Sequence, residues 1–165
     1  MQTTRQSGPA SPAIPAIGEG KRGVDGHIGY LLRQAHSAYR IQMEKALAES
    51  GATLPQFAVL TMLAAYPGAS NAALARLALL TPQTMTVIVA NLEKANLVAR
   101  TPHPEHGRIQ VIGITAEGKQ VLKACKQVVA KVEARLLAGL APDEEAVVRR
   151  WLVKVALEAG PGGAD

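Results

Sequence analysis

Three polar residues in one lightly charged stretch have side chains suited to reading DNA bases, namely Gln83, Thr84 and Thr86. A glutamine amide can form two hydrogen bonds with the edge of an adenine, and a threonine methyl group can contact the methyl group of thymine. Glutamine and threonine are also common on any solvated helix face. The three residues therefore indicate DNA contact only if the surrounding elements form a reading unit.

Further polar and basic side chains near this stretch are suited to phosphates or to the minor groove. Arg76 precedes the stretch, and Arg100 and Arg108 follow it. Any one of them is also consistent with an ordinary surface charge. The complete set of candidate DNA contacts is Arg76, Thr81, Gln83, Thr84, Thr86, Asn91, Lys94, Arg100 and Arg108.

A helix is predicted to carry most of these side chains. Thr81 is suited to cap its N-terminus. Val87, Ile88 and Leu92 then recur at helical spacing, so we expect them to face a core. Asn96 follows at the point where a helix would end in a left-handed residue, a conformation that asparagine tolerates.

Two short strands are predicted after this helix. Residues 97–100 have the composition of a strand, residues 103–107 form a polar turn, and Ile109, Val111 and Ile114 restore an extended pattern. A polar helix followed by a two-stranded wing is the layout of a winged helix-turn-helix, whose usual work is binding double-stranded DNA. The predicted fold class is therefore mainly α with a small two-stranded β wing.

The helices in front of the reading helix complete the predicted helix-turn-helix. Thr53 followed by Gln56 fits the capping box, which starts a helix at residues 54–65. Ser70 caps a short third helix at residues 71–79. In such a unit the earlier helix packs against the later one and positions it in the major groove.

Long amphipathic helices are predicted on both sides of this unit, at residues 27–49, from Thr115 to about Ala138, and from Pro142 onward. One small reading unit cannot cover all three apolar stripes, whereas a second copy can, so we expect a two-fold homodimer. Its recognition helices would be about 34–36 Å apart, which implies a near-palindromic operator.

The sequence predicts three segments: a flexible arm at 1–26, a domain at 27–158 and a flexible tail at 159–165. Within the domain, residues 27–52 and 115–158 form the dimerisation helices, and residues 53–114 form the winged region between them.

Composition restricts the class of protein further. The 165 residues carry a formal net charge of +5, which suits an acidic partner such as nucleic acid, although it also suits a membrane surface. Aromatic residues make up only 3% of the chain, which argues against a single-strand binder that stacks bases. A single cysteine, no long apolar run and no signal-peptide pattern favour a cytoplasmic protein that does not enter a membrane.

Two motifs give the chain a resemblance to the MarR family of bacterial transcription regulators, over about Gly26 to Glu158. They are LEKANLVAR at residues 92–100 and ITAEG at residues 114–118. The family pattern there is Leu-Glu-Lys-x-Gly-Leu-Val, a wing, and Leu-Thr-x-x-Gly. Asn96 replaces the usual glycine in the first motif.

The wing departs more strongly from the family pattern. Many members read Asp-Pro-x-Asp-Arg-Arg, whereas residues 103–108 read His-Pro-Glu-His-Gly-Arg, so that only Pro104 and Arg108 match. The minor-groove contact that wing arginines often make therefore depends on Arg108 alone.

The resemblance also implies an effector pocket, since many relatives release DNA when they bind small aromatic acids or phenols. On this basis we expect a repressor whose ligand is an anionic aromatic molecule. Arg33 or Arg40 would pair with its carboxylate, although these side chains could instead form ion pairs between subunits. The candidate ligand contacts are Tyr30, Arg33, His36, Tyr39 and Arg40.

Other chemistry is weakly indicated. His103, Glu105 and His106 are close in sequence, but two loop histidines without further ligands are poor indications of a metal site. Cys125 lies on an apolar seam and is expected to be an inert buried thiol, with a redox sensor as the alternative. No spacing indicates a catalytic set or a cofactor, so we expect no enzyme. A winged-helix module that binds a protein partner is the other alternative.

Overall fold

The computed structural model of the chain describes residues 14–102 and 110–158. The chain divides into two compact units, the first ending at Ile41 and the second beginning at Gln42. A 3-10 turn occupies Gly20–Arg22. The main elements are α1 (Ile28–Leu47), α2 (Leu54–Ala65), α3 (Asn71–Leu77), α4 (Pro82–Lys94), β1 (Val98–Pro102), β2 (Gln110–Ile114), α5 (Ala116–Leu137) and α6 (Pro142–Glu158).

Side-chain caps start four of the helices at the predicted residues. Thr53 and Gln56 form the reciprocal capping box of α2. The hydroxyls of Ser70, Thr81 and Thr115 accept the backbone N–H three residues later at the starts of α3, α4 and α5. These caps, together with the mainly helical fold and its two strands, confirm the predicted fold class.

The core of the second unit is built from apolar side chains of α2 to α5 and the two strands. In α4 the buried residues are Met85, Ile88, Val89 and Leu92. The prediction that Val87 faces a core is wrong, because 59% of this residue is exposed. Met85 and Val89 complete the same apolar stripe as Ile88 and Leu92, and Val87 lies outside it.

The wing is an antiparallel pair in which Val98 is opposite Ile114 and Pro102 is opposite Gln110. Its base is joined closely to the start of α5. The N–H of Thr115 donates to the carbonyl of Leu97 at 3.1 Å, and its hydroxyl donates to the carbonyl of Asn96 at 2.7 Å. A Cβ added at Gly118 would clash with the carbonyl oxygen of Leu97. The glycine of the ITAEG motif thus allows the first turn of α5 to approach the backbone at the base of the wing.

The first unit contains hydrogen bonds where a flexible arm was predicted. The guanidinium of Arg22 donates to the carbonyl of Pro15 at 2.7 Å, and Gln34 of α1 donates to the carbonyl of Arg22 at 3.1 Å. Hydrogen bonds in a single structure do not measure mobility, so the flexible arm expected over residues 1–26 stays a prediction. The boundaries predicted for the other segments stay predictions, and residues 1–13 and 159–165 lie outside the described residues.

Among the residues that the structure describes, two non-glycine residues have positive φ values, and both follow helices. Asn96 has a φ of 57°, which confirms the left-handed position predicted after α4. Leu79 has a φ of 55° and lies outside α3, which ends at Leu77, two residues earlier than predicted. No single helix in the described ranges combines the length and apolar composition needed to cross a bilayer.

Candidate nucleic-acid interface and ligand cavity

The helix pair formed by α3 and α4 has the geometry of a helix-turn-helix. The chain direction bends by 106° between the two helices, within the range of about 90–120° that is typical of this motif. The Nδ2 of Asn71 at the start of α3 donates to the hydroxyl of Thr86 at 3.2 Å, which ties the helices together. The left-handed Leu79 makes the turn between them and leaves its side chain 92% exposed.

The outward face of α4 differs in part from the face predicted. At about 100° per residue, Gln83, Val87 and Lys94 lie opposite the buried stripe, with Asn91 beside them. All four are exposed. An exposed valine between polar residues is suited to contact a thymine methyl group. Val87 was not among the predicted DNA contacts, because its apolar side chain was assigned to the core. The helical phase of Val87 relative to Met85 and Val89 could have identified its exposed position.

The three threonines of the predicted set have hydroxyl groups engaged within α4 and its surroundings. The hydroxyls of Thr81 and Thr84 are 2.9 Å apart, and that of Thr81 also caps the helix. The hydroxyl of Thr86 donates to the carbonyl of Pro82 at 2.9 Å. All three residues are exposed, and their hydroxyls make hydrogen bonds at the start of the helix.

The basic candidates have different surroundings. Arg76 and Lys94 are exposed. Arg100 on β1 forms an ion pair with Glu93 of α4, with 2.9 Å between Nε and Oε1. Arg108 lies outside the described residues, as do His103, Glu105 and His106. In the part of the chain that the structure describes, no group of three or more His, Cys, Asp or Glu residues could hold a metal ion.

A cavity of about 880 Å³ lies in the second unit, between the C-terminal end of α2, strand β2 and residues 119–130 of α5. Lys119, Lys123 and Lys126 line it, and among the described residues around it none is acidic. The rest of its wall is mostly apolar. These other lining residues are Leu63, Ala64, Pro67, Gly68, Val111, Ile112, Gly113, Ile114, Leu122, Gln127 and Ala130. The spacing i, i+4, i+7 of the lysines shows in the sequence, but only the fold reveals that a cavity lies beside them.

The α1 residues predicted to bind a ligand are only partly brought together. Tyr30 and Arg33 line a cavity of about 380 Å³ in the first unit, and the Arg33 guanidinium lies 5.7 Å from the centre of the Tyr30 ring. Arg33, His36 and Arg40 fall within about 60° of one another around the helix. Tyr39, half-buried, lies on the side opposite Tyr30.

Cys125 has the surroundings of an unreactive thiol. The residue is fully buried, and its Sγ donates to the carbonyl of Ser50 at 3.6 Å. Burial raises the pKa of the thiol, and a smaller effect in the opposite direction comes from the backbone N–H of Cys125 itself, which favours the thiolate. Because the thiolate is the reactive form, these surroundings disfavour the redox-sensor alternative.

A bent helix pair with an outward polar face, followed by a two-stranded wing, defines a winged helix-turn-helix regulator of transcription. A model of the MarR family matches residues 52–109. The HTH-type transcriptional repressor Rv2887 of Mycobacterium tuberculosis is 38% identical over 131 residues, which cover 79% of this chain and 94% of that protein. The chain therefore belongs to the MarR family.

Solved structures agree with this assignment. Rv2887 in complex with DNA has a TM-score of 0.64 at 37% identity and covers 79% of this chain and 98% of that one. Its complex with salicylic acid has a TM-score of 0.65 at 38% identity, with coverage of 80% and 98%. PcaV of Streptomyces coelicolor, in complex with its natural ligand, has a TM-score of 0.71 at 30% identity, with coverage of 81% and 94%.

Proposed function

We propose that the protein is a homodimeric repressor that binds a near-palindromic operator in double-stranded DNA and is released from it by an anionic aromatic ligand. It acts in the cytoplasm and catalyses no reaction. The observation that carries the DNA-binding part is the outward face of α4, where Gln83, Val87 and Lys94 stand opposite the buried stripe. The complex of the relative Rv2887 with DNA supports it.

In this proposal the residues of the interface have separate roles. Gln83, Val87 and the threonine methyl groups read base edges in the major groove. Arg76, Asn91 and Lys94 contact phosphates, which position the helix without reading sequence. Arg100 and Arg108 act from the wing. Thr81 contributes through the cap that orients the start of α4.

Dimerisation is supported by the apolar side chains that the single chain leaves uncovered. No residue of α6 is buried, although its Val147, Val148, Trp151 and Leu152 form an apolar face. A second copy would cover this face and would place two recognition helices on one side of the DNA.

The ligand part of the proposal is supported by the cavity beside β2. A volume of about 880 Å³ lies within the range of about 300–1,000 Å³ that is usual for small-molecule sites. A ligand there would contact both the wing strand and α5, so it could favour one wing position over another and thereby alter DNA affinity. The salicylic acid complex of Rv2887 supports an aromatic acid as the ligand class.

The residues on α1 form the second candidate ligand set. Arg33 and Arg40 are suited to a carboxylate, with Tyr30, His36 and Tyr39 as neighbours on the same helix. Parallel tests of Arg33→Gln and Lys123→Gln separate the two sets. The variant that raises the Kd of an aromatic acid without changing DNA affinity identifies the set that binds it.

Selection of operators from genomic fragments, followed by titration across salt concentrations, tests the DNA-binding part. We expect the logarithm of the binding constant to fall linearly with the logarithm of salt concentration. Lys94→Gln should reduce the slope by about 1, whereas Gln83→Ala should relax the preference at one base pair by about 1–3 kcal/mol.

Lys131→Gln is the matched control, because Lys131 is exposed on α5 and is absent from the proposed interface. Binding that is weak and insensitive to salt would contradict the proposal and favour a protein partner for the winged fold. A selected operator complex that no aromatic acid weakens would contradict the ligand part alone.

A further inference from the structure

We propose that the cavity between β2 and α5 binds a ligand with an elongated apolar body and at least two separated negative charges, rather than a simple monocarboxylic acid. This inference rests on the proposed function and names the ligand class of the same site. It starts from the three lysines on one side of the cavity.

Lys119, Lys123 and Lys126 lie within about 60° of one another around α5, and the first and last are about 10 Å apart along the helix axis. All three line the cavity. All three are exposed, so water and salt reduce their mutual repulsion, and an anion or an acidic side chain among them would reduce it further. Among the described residues that line the cavity none is acidic, so the structure leaves this role to a ligand.

A single carboxylate would neutralise only one of the three lysine charges. A lysine acts as a point charge on a flexible stem, so lysines spread along a helix are suited to charges that are themselves spread out. The apolar side of the cavity, which includes Leu63, Ile112 and Leu122, is suited to the body that joins these charges. Charged groups at both ends of a rigid apolar molecule meet both requirements.

Two probe molecules with the same apolar body distinguish a site for one negative charge from a site for two. Biphenyl-4-carboxylate and biphenyl-4,4′-dicarboxylate differ only in a second carboxylate at the far end. We expect calorimetry to give a Kd about fivefold lower for the dicarboxylate, as an additional ion pair at a partly exposed site provides. Salt should reduce this difference.

The outer lysines provide the decisive variants. We expect Lys119→Gln and Lys126→Gln each to bring the two dissociation constants within about twofold of each other, because either change leaves one end of the dicarboxylate without a partner. Lys131→Gln is the control. It removes the same charge from the same helix at a position that does not line the cavity, so the preference for the dicarboxylate should persist.

Equal affinity of the two probes for the unmodified protein would overturn the inference, and so would an equal effect of Lys131→Gln. If the lysine variants reduce the salt slope of DNA binding, the lysines contact phosphates and the inference also fails. If the monocarboxylate releases DNA as well as the dicarboxylate does, the proposed function stands while this inference fails. If the dicarboxylate preference appears but neither probe releases DNA, the ligand class stands while the regulatory function fails.

Discussion

At the scale of single residues, two positions explain why the motifs that carry the family resemblance have their composition. Asn96 takes a left-handed conformation, which makes asparagine an acceptable substitute for the usual glycine. Gly118 follows Thr115 by three residues and allows α5 to approach the carbonyl of Leu97. The role of Asn96 could be predicted from the sequence, because the conformation required after a helix is local. The role of Gly118 could not, because it depends on a backbone twenty-one residues away in sequence.

Gly118→Ala should destabilise the protein. Alanine normally stabilises a helix relative to glycine by about 0.5–1 kcal/mol, but here the added methyl group meets a backbone carbonyl that cannot rotate away. We expect chemical denaturation to show a free energy of unfolding lower by about 1–3 kcal/mol. Gly29→Ala is the control, since nothing lies within 4 Å of its added Cβ. A Gly118→Ala protein as stable as the Gly29→Ala protein would contradict this packing.

Cys125 should be protected from thiol reagents in the folded protein. Because burial raises its pKa, the unfolded chain loses the thiol proton first as the pH increases. The contribution of the thiol to the free energy of unfolding is therefore complete below the ordinary value of 9.0 and falls as the pH rises toward the folded pKa. We expect a disulfide reagent to label Cys125 slowly at neutral pH and fully in denaturant.

Cys125→Ala provides the functional control for this thiol. Any release of DNA by peroxide should be the same in the variant as in the unmodified protein, because a buried neutral thiol is a poor nucleophile. Rapid labelling of the folded protein, together with loss of peroxide sensitivity in the variant, would restore the redox-sensor alternative.

At the scale of elements, most of the order of helices and strands was predictable because caps and periodicity are local signals. α2 has the predicted bounds, and four N-caps are at the predicted residues. The faces of the elements were harder to predict. Val87 was assigned to the core from its apolar character, although its helical phase relative to Met85 and Val89 places it on the exposed face. The cavity beside Lys123 forms where α2 packs near β2 and α5, which come much later in the sequence, so no local pattern indicated it.

The ion pair between α4 and β1 provides a test of the wing as a DNA contact. Glu93 pairs with Arg100 and places a negative charge beside the proposed interface. We expect Glu93→Gln to strengthen DNA binding and to increase the salt slope, because the change removes that charge and releases the guanidinium to a phosphate. Stability should change by less than about 1 kcal/mol, as is usual for exposed ion pairs.

Glu145→Gln is a matched control for this charge change. Glu145 forms a comparable exposed ion pair with Arg149 on α6, at 2.6 Å between Oε1 and Nε. This substitution raises the net charge by the same amount away from the proposed interface, so its effect on DNA affinity should be smaller. Equal effects of the two substitutions would indicate a response to net charge alone and would remove Arg100 from the interface.

At the scale of the whole molecule, the exposed apolar surface of α6 is difficult to explain for an isolated chain. The helix has seventeen residues, none of them buried, and an amphipathic helix is stabilised mainly by packing its apolar face. Trp151 and Leu152, on that face, are 38% and 47% exposed. The uncovered face therefore favours the proposed homodimer.

Val148→Asp tests the homodimer against a closely matched control. At about 100° per residue Val148 lies near the centre of the apolar face of α6, whereas Val153 lies on the opposite side. Both are exposed, at 42% and 61%. Val148→Asp would place a carboxylate inside the proposed interface, where an unpaired charge is strongly unfavourable, so we expect sedimentation to detect monomers. Val153→Asp should leave the dimer intact.

DNA binding should follow the oligomeric state in these two variants. A monomer has one recognition helix and loses the gain in affinity, of about 10²–10⁴, that linked binding sites provide. We therefore expect Val148→Asp to bind a single half-site with unchanged affinity but the full operator far more weakly than the unmodified protein. A monomeric Val148→Asp protein that keeps full operator affinity would show that one recognition unit is sufficient. In that case the two-fold operator would lose its structural basis.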